Sequence, residues 1–170
     1  MRRCSIPIIG AVEGGVWGGA CDLAMCCDLL VGTPTATFAI TPAKVGIPYN
    51  PAGMSHFLGA LPMHIIKEMF FTGCPLSAQD ALRFGVLNRL VAPEELENAS
   101  MGLARTIASR APKVIRVLKT ELRKLTAGPH LTPDDFEEIQ NLRQLAYRSA
   151  DLKEGLAAFR EKRPPVFKDQ

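Results

Sequence analysis

The chain has 170 residues, 47% of them apolar and 22% charged, with a formal net charge of +3. That length supports a domain-sized core, and the balance is ordinary for a soluble globular protein. The charge is too small and too dispersed for nucleic-acid binding, and no apolar run reaches the roughly 18–20 residues of a membrane span.

In chain order, Ile6–Val12 reads as a strand that breaks at Gly14-Gly15. It is apolar behind Arg2 and Arg3. Gly10, Glu13 and the glycine turn interrupt the run before any small-residue cleavage site, so the chain reads as cytoplasmic rather than exported. A second glycine pair, Gly18-Gly19, opens a segment with helical spacing (Ala20, Leu23, Ala24, Cys27), which predicts a helix over 19–27. Strands follow at Leu29–Val31 and Thr37–Ile40, then helices at 51–59, 63–70 and 77–84. Ser77 is the N-cap of the last, Gly85 its C-terminal glycine, and Val86–Val91 is another short strand. Beyond residue 92 the chain turns helical and charged: Pro93 to Arg110, Pro112 to Leu125, Thr132 to Ser149 and Asp151 to Glu161, stopped by Pro164-Pro165. Val114, Val117, Leu118 and Leu122 share one face of the second of these. The division is an α/β region over 1–92 and a helical region over 93–170, without a repeat of fixed period.

Five cysteines (Cys4, Cys21, Cys26, Cys27, Cys74) fit no common metal clip, and three of them lie in one apolar helix, where reduced cysteine behaves as a small hydrophobe. They read as buried, unreactive thiols. His56, His64 and His130 are scattered and form no metal-ligand pair, so no metal site is expected.

The stretch Val12–Asp28 carries the most chemistry. A strand, a tight turn and a helix whose first N–H groups belong to glycines leave those donors open to a negative oxygen. An enzyme that forms an enolate or a tetrahedral oxyanion needs such donors. Close helix–strand packing is the other reason to place glycines there.

The wording Val12-Glu13-Gly14-Gly15-Val16-Trp17-Gly18-Gly19-Ala20-Cys21-Asp22 resembles the crotonase (enoyl-CoA hydratase/isomerase) superfamily. The likeness continues through Cys27-Asp28-Leu29, Phe38, Gly46-Ile47-Pro48-Tyr49-Asn50, Phe71-Thr72-Gly73, Ala78-Gln79-Asp80-Ala81 and Gly85-Val86-Leu87-Asn88-Arg89. It ends at Glu154-Gly155-Leu156 and Phe159-Arg160-Glu161-Lys162-Arg163-Pro164. The resemblance implies the C-terminal part of a ββα spiral core followed by helices that build a homotrimer or a dimer of trimers. It also implies that Met1 precedes a strand from near the middle of a complete domain. The loop bearing the second of the family's two oxyanion donors would then lie outside these 170 residues.

Several site assignments follow from the same resemblance. Gly19 falls at the family's backbone donor position. Family hydratases add water with two glutamates; here those positions hold Asp22 and Pro42, and proline cannot titrate. Asp22 is one methylene short of the glutamate usual there, and is either catalytic or a solvated helix residue; Asp28 reads as structural. Tyr49 matches a position that orients a substrate carboxylate, against a packed ring bonded to a nearby carbonyl. Thr41, with hydroxyl and carbonyl expected free of helix bonding before Pro42, matches a substrate contact. Lys162 matches the tail that meets coenzyme A phosphates, with Phe159 covering an apolar part of that cofactor-like moiety. Trp17 either walls the acyl pocket or packs in the core.

The branch of the family most similar in these motifs decarboxylates methylmalonyl thioesters, and the implied reaction is methylmalonyl-CoA to propionyl-CoA through a stabilised enolate. It needs no separate cofactor, coenzyme A being part of the acyl-CoA substrate. The alternatives are an enoyl-CoA hydratase or isomerase, and a truncated, inactive chain that associates with crotonase-like trimers.

Overall fold

The computed structural model describes residues 1–45, 49–126 and 133–168, apart from the side chains of Val45, Asp135, Arg143 and Phe159. The Gly46–Pro48 part of the loop before Tyr49, His130, Thr132 and the Phe159 ring therefore lie outside the described residues. The chain divides into two compact units, Met1–Arg2 with Ile8–Met101, and Arg3–Pro7 with Gly102–Gln170.

The first unit is wound from β1 (Ile9–Val12), β2 (Gly15–Trp17), α1 (Gly19–Met25), β3 (Leu29–Gly32) and β4 (Thr37–Ala39). β3 pairs in parallel with β1, Ile9 opposite Leu29, and β4 in parallel with β2, Gly15 opposite Thr37. One β-β-α turn therefore lays the next pair of strands beside the first, and the chain winds a two-sheet spiral. Gly14, at φ +67°, makes the bend by which consecutive strands enter different sheets. The sheets are completed by β5 (Leu76–Ser77), antiparallel to β4, and β6 (Arg89–Leu90), parallel to β3.

Two polar side chains extend these ladders past their ends. Asp28 donates its N–H to the Ile8 carbonyl at 2.9 Å and accepts the Ile8 N–H on Oδ2 at 2.7 Å. Asn88 does the same for Leu30, N–H to carbonyl and Oδ1 to N–H, both at 2.8 Å. The structural reading of Asp28 holds, and the Asn88 of the quoted motif has a physical cause: unpaired strand ends need partners.

α2 (Pro51–Leu58), α3 (Met63–Thr72) and α4 (Ala78–Arg83) pack on the spiral. Asn50 caps α2 by accepting the Gly53 N–H at 2.6 Å, and Ser77 caps α4 through the Asp80 N–H at 3.1 Å, as its sequence predicts. Phe38, Phe57, Ile40, Leu87, Val31 and Cys21 are fully buried at the centre. Each such aliphatic or phenyl side chain contributes about 1.5–3 kcal/mol by burial. Gly32 packs closely there, since a Cβ would lie 2.8 Å from Leu87 Cδ1 and displace that side chain.

Two strand expectations need correction. Ile6–Val12 pairs only from Ile9, and the 86–91 strand shrinks to Arg89–Leu90. β2 and β5 were hidden because runs of three and two residues are too short to show alternation.

α5 (Leu96–Ala108) follows a 3-10 turn at Pro93–Glu95, and α6 (Pro112–Leu125), α7 (Pro133–Tyr147) and α8 (Ala150–Glu161) complete the chain. In the second unit Lys119 Nζ donates to the Ile6 carbonyl at 2.8 Å, and buried Lys124 meets Glu138 at 2.6 Å. Of the α6 face, Val117 is buried while Val114, Leu118, Leu122 and Leu125 are between 43% and 62% exposed. No described helix is long and apolar enough to cross a membrane.

Candidate active site

Gly18 and Gly19 join β2 to α1 with different geometries. Gly18 sits at φ 56°, ψ −121°, a conformation closed to L side chains, and its N–H donates to the Ala39 carbonyl at 2.8 Å. That bond pins the turn to β4. Gly19 begins the helix. Among the described residues its N–H has no acceptor, and a Cβ built on it would meet nothing within 4 Å. A backbone donor without an acceptor among the described residues thus follows a turn whose geometry favours glycine.

One helical turn on, the Asp22 carboxylate accepts from His56, Nδ1 to Oδ1 at 2.6 Å. His56 comes from the last turn of α2, and Cys26 Sγ lies 3.3 Å from the same nitrogen. The side chains of His56 and Asp22 are 23% and 26% exposed. Burial and the Asp22 carboxylate raise the Cys26 thiol, opposed by Arg2 and the chain's amino group. Burial pushes the Cys21 thiol up to about 12. Cys21 is therefore the inert thiol expected, but Cys26 is not simply a buried hydrophobe.

Tyr49 stands on the other side of Gly53. A Cβ on Gly53 would lie 2.7 Å from Tyr49 Cε1 and 3.1 Å from Asp22 Oδ2, so the missing side chain lets phenol and carboxylate share one space. The Tyr49 ring is edge-on to Phe70 at 5.2 Å and to Phe57 at 6.5 Å. Burial, then the Asp22 carboxylate, push its hydroxyl up to about 12, which keeps it a neutral donor at physiological pH. The ring is packed, and no hydrogen bond to that hydroxyl exists among the described residues.

Two other positions differ from expectation. Thr41 is half-buried, and its carbonyl accepts the Lys44 N–H at 3.0 Å, because Pro42–Val45 forms a 3-10 turn rather than extended chain. Its carbonyl is therefore engaged. Trp17 is 54% exposed, its Nε1 donating to Thr37 Oγ1 at 3.1 Å across β2 and β4, which removes the core reading.

Lys162 lies in the second unit, exposed, and at φ 53° is the one left-handed non-glycine among the described residues. The neighbouring Arg163 is committed elsewhere: its guanidinium meets Glu154 at 2.6 and 3.0 Å and Glu161 at 2.6 Å. Arg163, with the Val166 N–H, holds the Glu154 carboxyl down at about 2. The structure thus brings Asp22 and Tyr49 together in the first unit with two residues that were missed, His56 and Cys26, while Gly19 lies one helical turn before Asp22. The i, i+4 spacing of Asp22 and Cys26 was a usable signal; His56 had none.

The enoyl-CoA hydratase/isomerase family model matches residues 1–170. The chain belongs to that family. Its ββα winding is the crotonase fold. It is 45% identical over 161 residues to methylmalonyl-CoA decarboxylase of Escherichia coli, a match covering 95% of this chain and 62% of that protein. It is 37% identical over 166 residues to carnitinyl-CoA dehydratase of Salmonella paratyphi B, covering 95% and 63%. A solved methylmalonyl-CoA decarboxylase in complex with 2-nitronate-propionyl-CoA superposes with a TM-score of 0.72 at 43% identity, over 99% of this chain and 65% of that one. The chain thus spans less than two thirds of the length of these relatives.

Proposed function

We propose that the chain belongs to a decarboxylase of methylmalonyl-CoA, releasing CO2 and leaving propionyl-CoA. The observation that carries this reading is the Tyr49 phenol: neutral, packed in position by Phe57 and Phe70, and beside Asp22 with its hydroxyl unengaged by described residues. A neutral donor there orients the substrate carboxylate out of the plane of the thioester without stabilising it as an ion pair would. As the carbon–carbon bond breaks, its electron pair enters the thioester and charge builds on the carbonyl oxygen. The Gly19 N–H is the donor for that oxygen, together with a second donor of the family pattern. One such donor is typically worth ~10²–10³ in rate. Carbon 2 of the enolate then takes a proton. No cofactor is needed, since the thioester itself is the electron sink.

Thr41 and Trp17 are assigned to the acyl group and Lys162 to a coenzyme A phosphate, as the single charge beside an Arg163 already neutralised by two carboxylates. The exposed stripe Val114, Leu118, Leu122 and Leu125 supports burial of α6 against further copies, as in a homotrimer or a dimer of trimers. It equally suits a chain that only associates with such trimers.

The 2.6 Å pair of Asp22 and His56 favours one rival reading, acid–base hydration or dehydration of an enoyl thioester, and the likeness to carnitinyl-CoA dehydratase adds to it. Pro42 in its 3-10 turn stands against it, because the second acid is missing.

Both are tested by incubating the purified chain with methylmalonyl-CoA and crotonyl-CoA together and following each by mass spectrometry. Propionyl-CoA with crotonyl-CoA unchanged supports the decarboxylase. A water adduct of crotonyl-CoA replaces it with the hydratase. If neither substrate changes, these 170 residues do not carry the reaction.

A further inference from the structure

Asp22 and Cys26 are one helical turn apart, so α1 and its C-terminal cap present both on one face. With His56 from α2, their donor atoms Oδ1, Sγ and Nδ1 lie within 4.8 Å of one another. Carboxylate and thiol both converge on one ring nitrogen, at 2.6 and 3.3 Å. A Cys–His–Asp proton relay needs opposite ring nitrogens, so this arrangement is not one. Nδ1 has one in-plane proton or lone pair and cannot serve two neighbours well. Three donor atoms this close together can act as a chelate.

We propose that Asp22, Cys26 and His56 form a three-ligand site for a thiophilic divalent cation, zinc foremost. Imidazole nitrogen, carboxylate oxygen and thiolate sulfur are zinc's usual donors, and three protein ligands leave its fourth position open. At ordinary zinc bond lengths, tetrahedral donors sit about 3.4 Å apart for N and O and about 3.6 Å for N and S. The present 2.6 and 3.3 Å need to open by less than about 1 Å, within the reach of side-chain torsions. Carboxylate and thiolate together neutralise the ion, the Cys26 proton passing to solvent. The part-exposed His56 and Asp22 provide its entry path. Bound there, the cation ties α1 to α2 and withdraws Asp22 from other chemistry. The site does not depend on which thioester the protein acts on.

The test uses the metal-stripped chain, titrated with zinc against a chromophoric chelator and separately with cobalt(II). One equivalent is expected to bind, with cobalt giving a near-ultraviolet thiolate-to-metal band and the visible bands of a four-coordinate site. Cys26→Ser and His56→Gln should each weaken zinc by at least about tenfold, because even outer-shell partners carry roughly 10–100-fold. Cys26→Ser should also abolish the thiolate band. Cys27→Ser, whose thiol turns instead to the Leu23 carbonyl, should change neither. Circular dichroism verifies folding. If His56→Gln does not fold, the Cys26→Ser spectrum decides. No uptake, equal affinity in wild type and Cys26→Ser, or a thiolate band that survives Cys26→Ser would overturn the site.

Discussion

The aim of the Gly19 N–H depends on the turn before it, and replacing Gly18 by alanine isolates that dependence. Gly18 holds φ 56° and ψ −121°, and a Cβ there would meet nothing within 4 Å, so the substitution adds backbone strain without a clash. A residue forced into such a region costs about 1–3 kcal/mol, with the upper part of the range appropriate to a conformation that only glycine populates freely. Alanine returns about 0.4–1 kcal/mol by restricting the unfolded chain. The net loss is about 2 kcal/mol, which at about 2–4 °C per kcal/mol for a chain of this size lowers Tm by about 4–8 °C. Gly19→Ala is the control: its Cβ also meets nothing within 4 Å and its backbone is helical, so it adds no strain and stability should rise by about 0.4–1 kcal/mol. Urea titration and thermal melts of the two variants beside wild type measure both numbers. A Gly18→Ala protein that melts with wild type would mean that the turn does not hold this geometry, and the argument for a fixed donor at Gly19 would fail with it.

Four further outcomes are expected. Tyr49→Phe should leave Tm unchanged while kcat/KM for methylmalonyl-CoA falls about 10–100-fold, the worth of a hydrogen bond to a charged group at about 1.5–3 kcal/mol; an unchanged rate would remove Tyr49 from the mechanism. The Glu154 carboxyl, held at about 2 in the folded chain against 4.5 ordinarily, contributes stability that is complete above pH 4.5 and lost as pH falls through 2. Carboxyl NMR should find its midpoint near 2 in wild type and closer to the ordinary value in Arg163→Gln. Under native conditions at neutral pH a thiol reagent should modify exposed Cys74 first and spare Cys21 until the chain unfolds, and mass spectrometry of the labelled peptides would expose the reverse order. Phe57→Ala should cost about 3–5 kcal/mol in urea, since the ring is fully buried and also seats Tyr49.

What the sequence made legible of the fold follows from how local each cause is. The helix over Pro112–Leu125 was readable to the residue because proline, periodicity and charge all act within one segment. Ser77 and Asn50 are short-range signals too, each capping a helix through a residue three positions on. β2 and β5 depend instead on partners found only after winding: Gly15 acquires strand geometry from Thr37, and Leu76 from Phe38. The 3-10 turn at Pro42–Val45 shows the same limit in reverse, since the residue before a proline favours extended backbone, yet Thr41 can still lend its carbonyl to Lys44 three residues later.

The site divides along the same line, with a chemical consequence. Gly19, Asp22 and Tyr49 enter as candidates through family wording, which records positions but not neighbours. Asp22 is one methylene short of the family's glutamate, and in isolation that reads as a weakened acid. Beside His56 at 2.6 Å it reads otherwise: the shorter side chain reaches α2 and is held there by an imidazole contributed from 34 residues away. Cys26, on the same helical face, closes on that imidazole as well. Three departures from the expected chemistry, namely a shortened acid, a histidine with no apparent role and a cysteine taken for core, are thus one structural feature. Whatever reaction the Gly19 donor and the Tyr49 phenol support, Asp22 enters it already partnered. Its availability to a substrate is therefore set by the contact with His56 that already holds it.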